Sequence, residues 1–461
     1  MANKTLIANG AKVSQVEQLY YSPVSVVPPY TDIPLGTMYC FLARVDPWTD
    51  DGDPPMPTED VRSLKQVFKN IFVAKHITSN DISPVIERID WETGVVYDYY
   101  RDDVNMFETD SNGYLLKHFY VKNRYDQVFK CLWNNNGGES TVEPQFQPGT
   151  YNTNNVFQGS DFYKWKYMFT VDSGSKLRFM DTSWIPVPVG DNTPNPFTTA
   201  GAGSIDVINV TDGGALYDPT VSEIEVTIVG DGTGAVATAN VPTGMNAITD
   251  INVISPGSGY TYANVVISSS TGFGAQAFAP TSPIGGHGYD PISELGCTHV
   301  MINAEFNGSE GSVVPTDVTY HQIGIISSPT LKSLSNSVYG YVPASGSIYR
   351  TYTEFTVAPG FGEFLNGELL VQTDVSGQVT FTGTILNYTP ESNIIRVLNM
   401  SGTPVLNSRI KGQSSLTSRT LLKVNEPDFQ IFSGYISYIE NRSSVQRSAD
   451  GIEQYKFVLG Y

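Results

Sequence analysis

Positive charge is scarce in this sequence: Lys and Arg number 27 against 46 Asp and Glu, for a formal net charge of −19 over 461 residues. That balance excludes general nucleic-acid binding, because phosphate affinity comes from Lys and Arg and no basic run compensates here. Cysteine is nearly absent. Cys40, Cys131 and Cys297 form an odd set without CxxC spacing, which supports neither a disulfide framework nor a zinc site. They are expected to be reduced and buried. No apolar run approaches the roughly 18 residues of a membrane-spanning helix. The stretch Met1–Gly10 lacks the long apolar segment of a secretory signal. The expectation is therefore a soluble chain made in a reducing compartment, with proteins as partners.

What is abundant describes a β protein. Gly 42, Pro 28, Tyr 27 and Phe 22, with charged residues at 16%, predict many short strands and turns. At 40% hydrophobic residues the chain can build packed cores. Its length predicts about three units at roughly 150 residues each. One surface helix is expected from an N-cap at Thr58, acidic Glu59 and Asp60 in the first turn, and Val61, Leu64, Phe68, Ile71 and Phe72 at helical spacing.

Composition shifts twice along the chain. Between about Gly190 and Gly288, Gly, Ala, Ser and Thr dominate, and basic residues and bulky aromatics almost vanish. A degenerate repeat lies within. Ile205-Asp-Val-Ile-Asn-Val, Gly214, Tyr217 and Gly232-Thr-Gly-Ala are followed by Ile251-Asn-Val-Ile, Gly257, Tyr260 and Gly272-Phe-Gly-Ala. A unit of roughly 40 residues twice over could pair into a small sandwich or prism, and is too short for an extended solenoid. From about Phe355 to Asn425, alternating apolar residues with Gly, Asn and Ser turns predict a small barrel or sandwich. The expected organisation is a discontinuous layered β-sandwich core, residues 1–190 with 298–350 and 428–461, carrying one or two surface helices. Two inserted small β domains complete it: a Gly-rich β-repeat insert at 191–297 and a small β-barrel or sandwich at 351–427.

Asp50, Asp51, Asp53, Glu59 and Asp60 superficially resemble a calcium loop, but the later Glu and the regular ligand alternation are missing. Asp98, Asp102 and Asp103 could in principle pair across a sugar, since glycoside hydrolysis needs two carboxyls about 5 to 9 Å apart; strand-edge salt links explain them better. His76, His118, His287, His299 and His321 are isolated, without HExxH or HxH spacing. His287, within Gly285-Gly-His-Gly-Tyr289, is the most interesting because its glycines allow close backbone approach. No GxSxG elbow or GxxxxGK[ST] loop occurs, and Gly230-Asp-Gly-Thr-Gly234 leads into a strand, not the helix a dinucleotide site requires. Triplets such as Asn209-Val-Thr211 would matter only in a secretory pathway. Trp48, Trp91, Tyr97-Tyr99-Tyr100 and Tyr163-Trp165-Tyr167 could stack sugars or bases, but without interleaved Lys and Arg, packing is the expected role. No catalytic, cofactor-binding or metal-binding residue, and no cofactor, is assigned.

Short segments in consistent order carry a family resemblance. Arg44-Val-Asp-Pro-Trp48, Pro57-Thr-Glu-Asp60 opening a helix, Ile89-Asp-Trp91, Tyr125 to Leu132, Trp165-Lys-Tyr-Met-Phe169, Trp184-Ile-Pro-Val-Pro188, His321-Gln-Ile-Gly-Ile-Ile326 and Gly434 to Arg442 resemble the baseplate wedge protein of contractile-tailed bacteriophages, often called gene product eight. The likeness covers roughly half the chain, and the sequence departs from it at about 190–297 and 350–427. The resemblance implies a non-enzymatic structural subunit of the virion's tail baseplate, assembled in the host bacterial cytoplasm. It implies a homodimer in each wedge, in contact with other wedge subunits, including the long wedge-spanning protein and the peripheral fibre-bearing protein. The inserts are expected to face outward, and deletion of 199–286 to leave the core folded. The competing expectation is a virion surface protein that binds host envelope polysaccharide. A glycan-degrading enzyme using Asp98 with Asp102 or Asp103 stands third.

Overall fold

The computed structural model describes residues 8–21, 37–111, 113–147, 156–189, 203–218, 220, 224–310, 313–331, 342–343, 346–428 and 430–461. The expected boundary at Gly190 and the first seven residues lie outside them. The fold is mainly β. Among the described residues there are 27 strands and four α-helices. The chain forms two compact units, one of Met1–Gln18, Ser83–Met301 and Val458–Tyr461, the other of Leu19–Ile82 and Ile302–Phe457.

In the first unit, four antiparallel strands form a sheet in the order Tyr120–Lys122, Gln127–Trp133, Lys164–Thr170, Val156–Gln158. Its two central strands are buried on both faces. Because side chains alternate along a strand, one face carries Phe129, Cys131, Trp165 and Tyr167, and the other carries Lys130, Leu132, Lys164 and Lys166. The aromatic face continues into Tyr163, stacked on Trp165 at 5.5 Å, and Tyr97, edge-on to it at 5.6 Å. The lysine face is covered by the Gly-rich segment.

That segment is built as two interlocked copies. The central antiparallel pair joins equivalent strands, Glu225–Gly230 and Ala263–Ser268. On either side the copies exchange partners: Thr233–Asn240 of the first pairs with Asp250–Ser258 of the second, and Gln276–Phe278 of the second pairs with Asn209–Asp212 of the first. The registers match residue for residue. Val236↔Ser255, Ala237↔Val253 and Thr238↔Asn252 repeat as Gln276↔Asp212, Ala277↔Val210 and Phe278↔Asn209, each with a bulge at the same step. Tyr260 of the second copy lies on Gly232 of the first, and its hydroxyl accepts from Ala235 N at 3.3 Å. Tyr217 of the first lies on Gly272 of the second and accepts from Ala275 N at 3.4 Å. Glycine is required at 232 and 272 because a Cβ there would enter the tyrosine ring. Ile205, Ile208, Ile248 and Ile251 fill the core between the copies.

In the second unit, a five-stranded antiparallel sheet runs Ile348–Arg350, Ile71–Ile77, Met38–Ala43, Thr319–Ser327, Tyr435–Gln446. The helix Val61–Asn70 packs Val67 and Phe68 onto Tyr39, Phe41 and Ile326. Its N-cap is Asp60, not Thr58. Asp60 Oδ1 accepts from Arg62 N and Ser63 N at 3.0 Å, while the Thr58 hydroxyl donates to Asp60 Oδ2 at 2.7 Å. The Ser63 and Thr58 hydrogen bonds hold this carboxyl well below the usual range. Ile71 and Phe72, expected at the helix end, instead open a strand, since the run Ile71-Phe-Val suits a pleated surface better than a helix turn. Residues 353–425 close a six-stranded barrel, in which Thr353–Val357 pairs with Ile394–Gly402 on one side and Ser418–Asn425 on the other. Phe355, Phe381, Ile385, Val397 and Leu421 alternate into its interior.

The interlock generates a prediction. Gly232→Ala and Gly272→Ala should each destabilise the protein by about 2 kcal/mol through overpacking against the partner tyrosine. Urea unfolding of each variant measures this, and equal values for the two sites are expected from their equivalence.

Candidate functional site

A cleft of about 300 Å³ in the second unit is assembled from segments far apart in sequence. The strand Met38–Ala43 ends at Arg44, whose φ of 59° turns the chain sharply out of the sheet. His321 N donates to Arg44 O at 2.9 Å, so this turn stays tied to the neighbouring strand. The turn lays the Arg44 guanidinium on the Trp48 ring, 3.7 Å from its centroid. Trp48 Nε1 donates to Arg442 O at 3.0 Å, and Trp48 N to Asp51 Oδ1 at 2.8 Å. Asp51 Oδ2 meets His321 Nε2 at 3.3 Å. Burial pulls the Arg44 guanidinium below its usual range, with Asp46 and Asp51 opposing.

The walls are of two kinds. Trp48, Pro55, Met56, Pro57 and Ile439 supply apolar surface, with Met56 85% exposed. Opposite them are amides. Asn441 Nδ2 donates to Pro55 O at 2.7 Å, Gln322 Nε2 to Asn441 Oδ1 at 2.7 Å, and Gln66 Nε2 to Asn70 Oδ1 at 3.2 Å. Four of the segments that carry the family resemblance meet here: Arg44 to Trp48, Pro57 to Asp60, His321 to Ile326 and Gly434 to Arg442.

The acidic residues singled out in the sequence do not form one site. Asp50 accepts from Gly52 N at 2.9 Å, Asp51 from Trp48, and Asp60 caps its helix, while Asp53 and Glu59 are exposed. Among the described residues no group of three or more His, Cys, Asp or Glu could hold a metal ion. Asp98 accepts from His118 N at 2.9 Å, Asp102 takes Thr281 N and Oγ1 at 2.9 and 2.7 Å, and Asp103 pairs with Arg101 at 2.7 Å. Each of these three carboxylates therefore has its own structural partner. The aromatic clusters divide: Tyr97, Tyr163 and Trp165 are buried, half-buried Trp91 donates Nε1 to Ser140 Oγ at 3.0 Å, half-buried Tyr99 is edge-on to Trp133 at 5.1 Å, and Trp48 lines the cleft. Gly230–Gly234 lies at the start of a strand. The three cysteines are buried thiols raised by desolvation, Cys297 to about 12.

His76 lies 5.1 Å from the Tyr39 ring, and burial lowers its pKa. His118 is exposed. His299 packs on Trp184 at 4.5 Å beside a cleft of about 260 Å³ that Tyr114 and Lys12 also line. His287 belongs to a buried charged cluster for which the sequence offered no clear signal.

That cluster sits on the lysine face of the first unit's sheet. Lys130 Nζ lies 3.1 Å from Glu294 Oε2, 3.2 Å from His287 Nδ1 and 4.0 Å from the Tyr100 ring centroid. An ammonium group only donates, so His287 Nδ1 accepts and the ring proton sits on Nε2. Gly288 N closes the other carboxylate oxygen at 2.6 Å. Lys164 pairs with Asp250 at 2.8 Å and donates to Ile208 O at 3.0 Å, and Asp206 opposes the burial-driven lowering of Lys166. The sheet supplies the cations and the Gly-rich segment the anions. No Lys or Arg occurs between Arg178 and Lys332, so that segment has no internal counter-charge. Asn209 Nδ2 to Leu132 O at 2.9 Å and Val207 packed on Leu132 and Val156 complete the junction. Removing 199–286 would take Asp250 and Asp206 away from Lys164 and Lys166 and uncover Leu132, so that deletion is expected to destabilise what remains. The one sequence signal was the alternation of lysines in aromatic strands, Lys130 and Lys164-Trp-Lys166.

Two predictions follow from the cluster. Lys130→Met should destabilise by about 3–5 kcal/mol because it leaves a buried carboxylate unpaired, and adding Glu294→Leu should recover much of that loss. Urea unfolding of the two single variants and the double variant measures the cycle. Burial, aided by Lys130, lowers the His287 pKa from 6.5, so the folded ring stays neutral where the unfolded chain takes up a proton. Its contribution is therefore full above pH 6.5 and is lost as pH falls below that value. His287→Gln should flatten the stability profile from pH 6.5 downward, by at most about 1.4 kcal/mol per pH unit.

No protein-family model matches the chain, and no curated protein matches it in sequence.

Proposed function

We propose that the chain is a structural subunit of a phage tail baseplate wedge, a homodimer that bridges neighbouring wedge proteins during assembly and in the triggering of sheath contraction. One observation carries the reading. Four of the eight segments through which the sequence resembles baseplate wedge proteins, separated by up to several hundred residues, converge on a single cleft with an exposed apolar wall. A surface assembled in that way is suited to receive a neighbouring subunit, and its partners would be the other wedge subunits, including the long wedge-spanning protein and the peripheral fibre-bearing protein. The carboxylates that a glycan-degrading enzyme would need each hold a backbone group or an arginine, which supports a structural role. Of the aromatic residues that a polysaccharide site would need, Tyr97, Tyr163 and Trp165 are packed into the core, which weakens the surface-binding alternative.

A subunit of this kind works through interfaces that hold neighbours in one arrangement until a trigger favours another. Light scattering of the purified chain, followed by mixing with extract of phage-infected cells, tests the reading. A dimer that captures other tail subunits, with capture reduced at least tenfold by Trp48→Ala, is the expected result. A monomer that ignores them and adheres to cell envelope would replace this reading with the polysaccharide-binding one.

A further inference from the structure

Two buried polar atoms among the residues that line the Arg44–Trp48 cleft have no hydrogen-bond partner among the described residues: Arg44 Nε, a donor, and Gln322 Oε1, an acceptor. Gln322 is 5% exposed. Its orientation follows from a chain of hydrogen bonds. Pro55 O can only accept, so Asn441 presents Nδ2 to it, and Asn441 Oδ1 faces Gln322. Gln322 must answer with Nε2, which leaves Oε1 as the atom without a partner. On Arg44, the terminal Nη2 is engaged with Pro47 O at 3.1 Å and the guanidinium face with Trp48, but Nε is not. Buried polar groups in native proteins are nearly always paired, so an unpaired donor and an unpaired acceptor on one cleft call for a common explanation.

We propose that this cleft receives a short extended stretch of polypeptide backbone from a partner subunit, one of its peptide groups donating N–H to Gln322 Oε1 and offering C=O to Arg44 Nε. A peptide group carries one donor and one acceptor, which is the complement of what the cleft leaves open. The apolar wall of Trp48, Pro55, Met56 and Pro57 then takes the flanking side chains, as alternate residues of an extended segment require. Both unpaired atoms are closed to solvent, so entry needs a small outward movement of the side chains that cover them. The inference rests on the reading of the cleft as a docking site and names what docks.

The test titrates the full chain with N-acetylvaline N-methylamide and, in parallel, with its ester analogue in which both N–H groups are replaced by oxygen. The readout is the Arg44 Nε–H resonance, assigned by its loss in Arg44→Lys. A saturable shift with the amide and binding at least tenfold weaker for the ester are expected. Gln322→Met should abolish that preference, and Met56→Glu, at an exposed position where folding is not at risk, should weaken the amide several-fold. Equal binding of amide and ester, or no shift of the Arg44 signal with either, overturns the inference. If tail subunits are captured but the amide does not bind, the wedge reading stands and this inference falls. If the amide binds as described but no tail subunit is captured, this inference stands and the wedge reading falls.

Discussion

Burying an ammonium group is the constraint on which the first unit depends. Lys130, Lys164 and Lys166 stand on a sheet face with almost no access to water, and a cation taken out of water is tolerable only beside matched anions and acceptors. Those come from the Gly-rich segment as Glu294, Asp250, Asp206 and the Ile208 carbonyl. Neither half is complete alone: the sheet without the segment exposes unpaired lysines and Leu132, and the segment without the sheet carries acidic charge with no Lys or Arg of its own. Replacing the whole cluster by apolar residues would not necessarily weaken the fold, because buried ion pairs gain little net stability. Their effect is on which partner and which register are accepted, since any slip leaves a charge uncompensated.

Within the segment a different rule operates. Two sequence copies, each too small to bury a core, exchange their outer strands and their tyrosines, so each copy's Gly-x-Gly-Ala turn is the seat for the other's ring. The equal bulge positions and registers show that the exchange is a geometric consequence of duplication. If one strand of a copy pairs outside that copy, the equivalent strand must do the same in return. Such mutual dependence yields a closed unit from two repeats, where a stacked array would need more repeats and caps.

The second unit is stabilised by ordinary apolar alternation, and its chemistry lies at its edge. The strand end at Arg44 turns out of the sheet in a left-handed conformation and brings a cation, an indole and a line of amides together. A planar donor and an amide acceptor on a half-apolar cleft suit the selection of a neighbouring chain, which fits a protein whose proposed work is to hold an assembly in register.

Much of the fold was legible in the sequence because it rests on local rules. Period-two alternation marked the barrel strands near Phe381 and Ile395, glycine spacing marked the duplication, and the helical spacing of Val61, Leu64 and Phe68 marked the helix at Val61. The cap at Asp60 was misplaced by two residues because Thr58 and Asp60 are both good caps, and their own hydrogen bond decides between them. Nothing local could reveal that Lys130 meets Glu294 across 164 residues, or that Gln322 and Arg44 each retain an unpaired atom on one cleft. Strand content, repeat length and charge balance are properties of near neighbours along the chain and are written there. Which charges are buried together and which polar atoms are left open depends on strand pairings that bring distant residues within hydrogen-bond reach, and so is set by the fold alone.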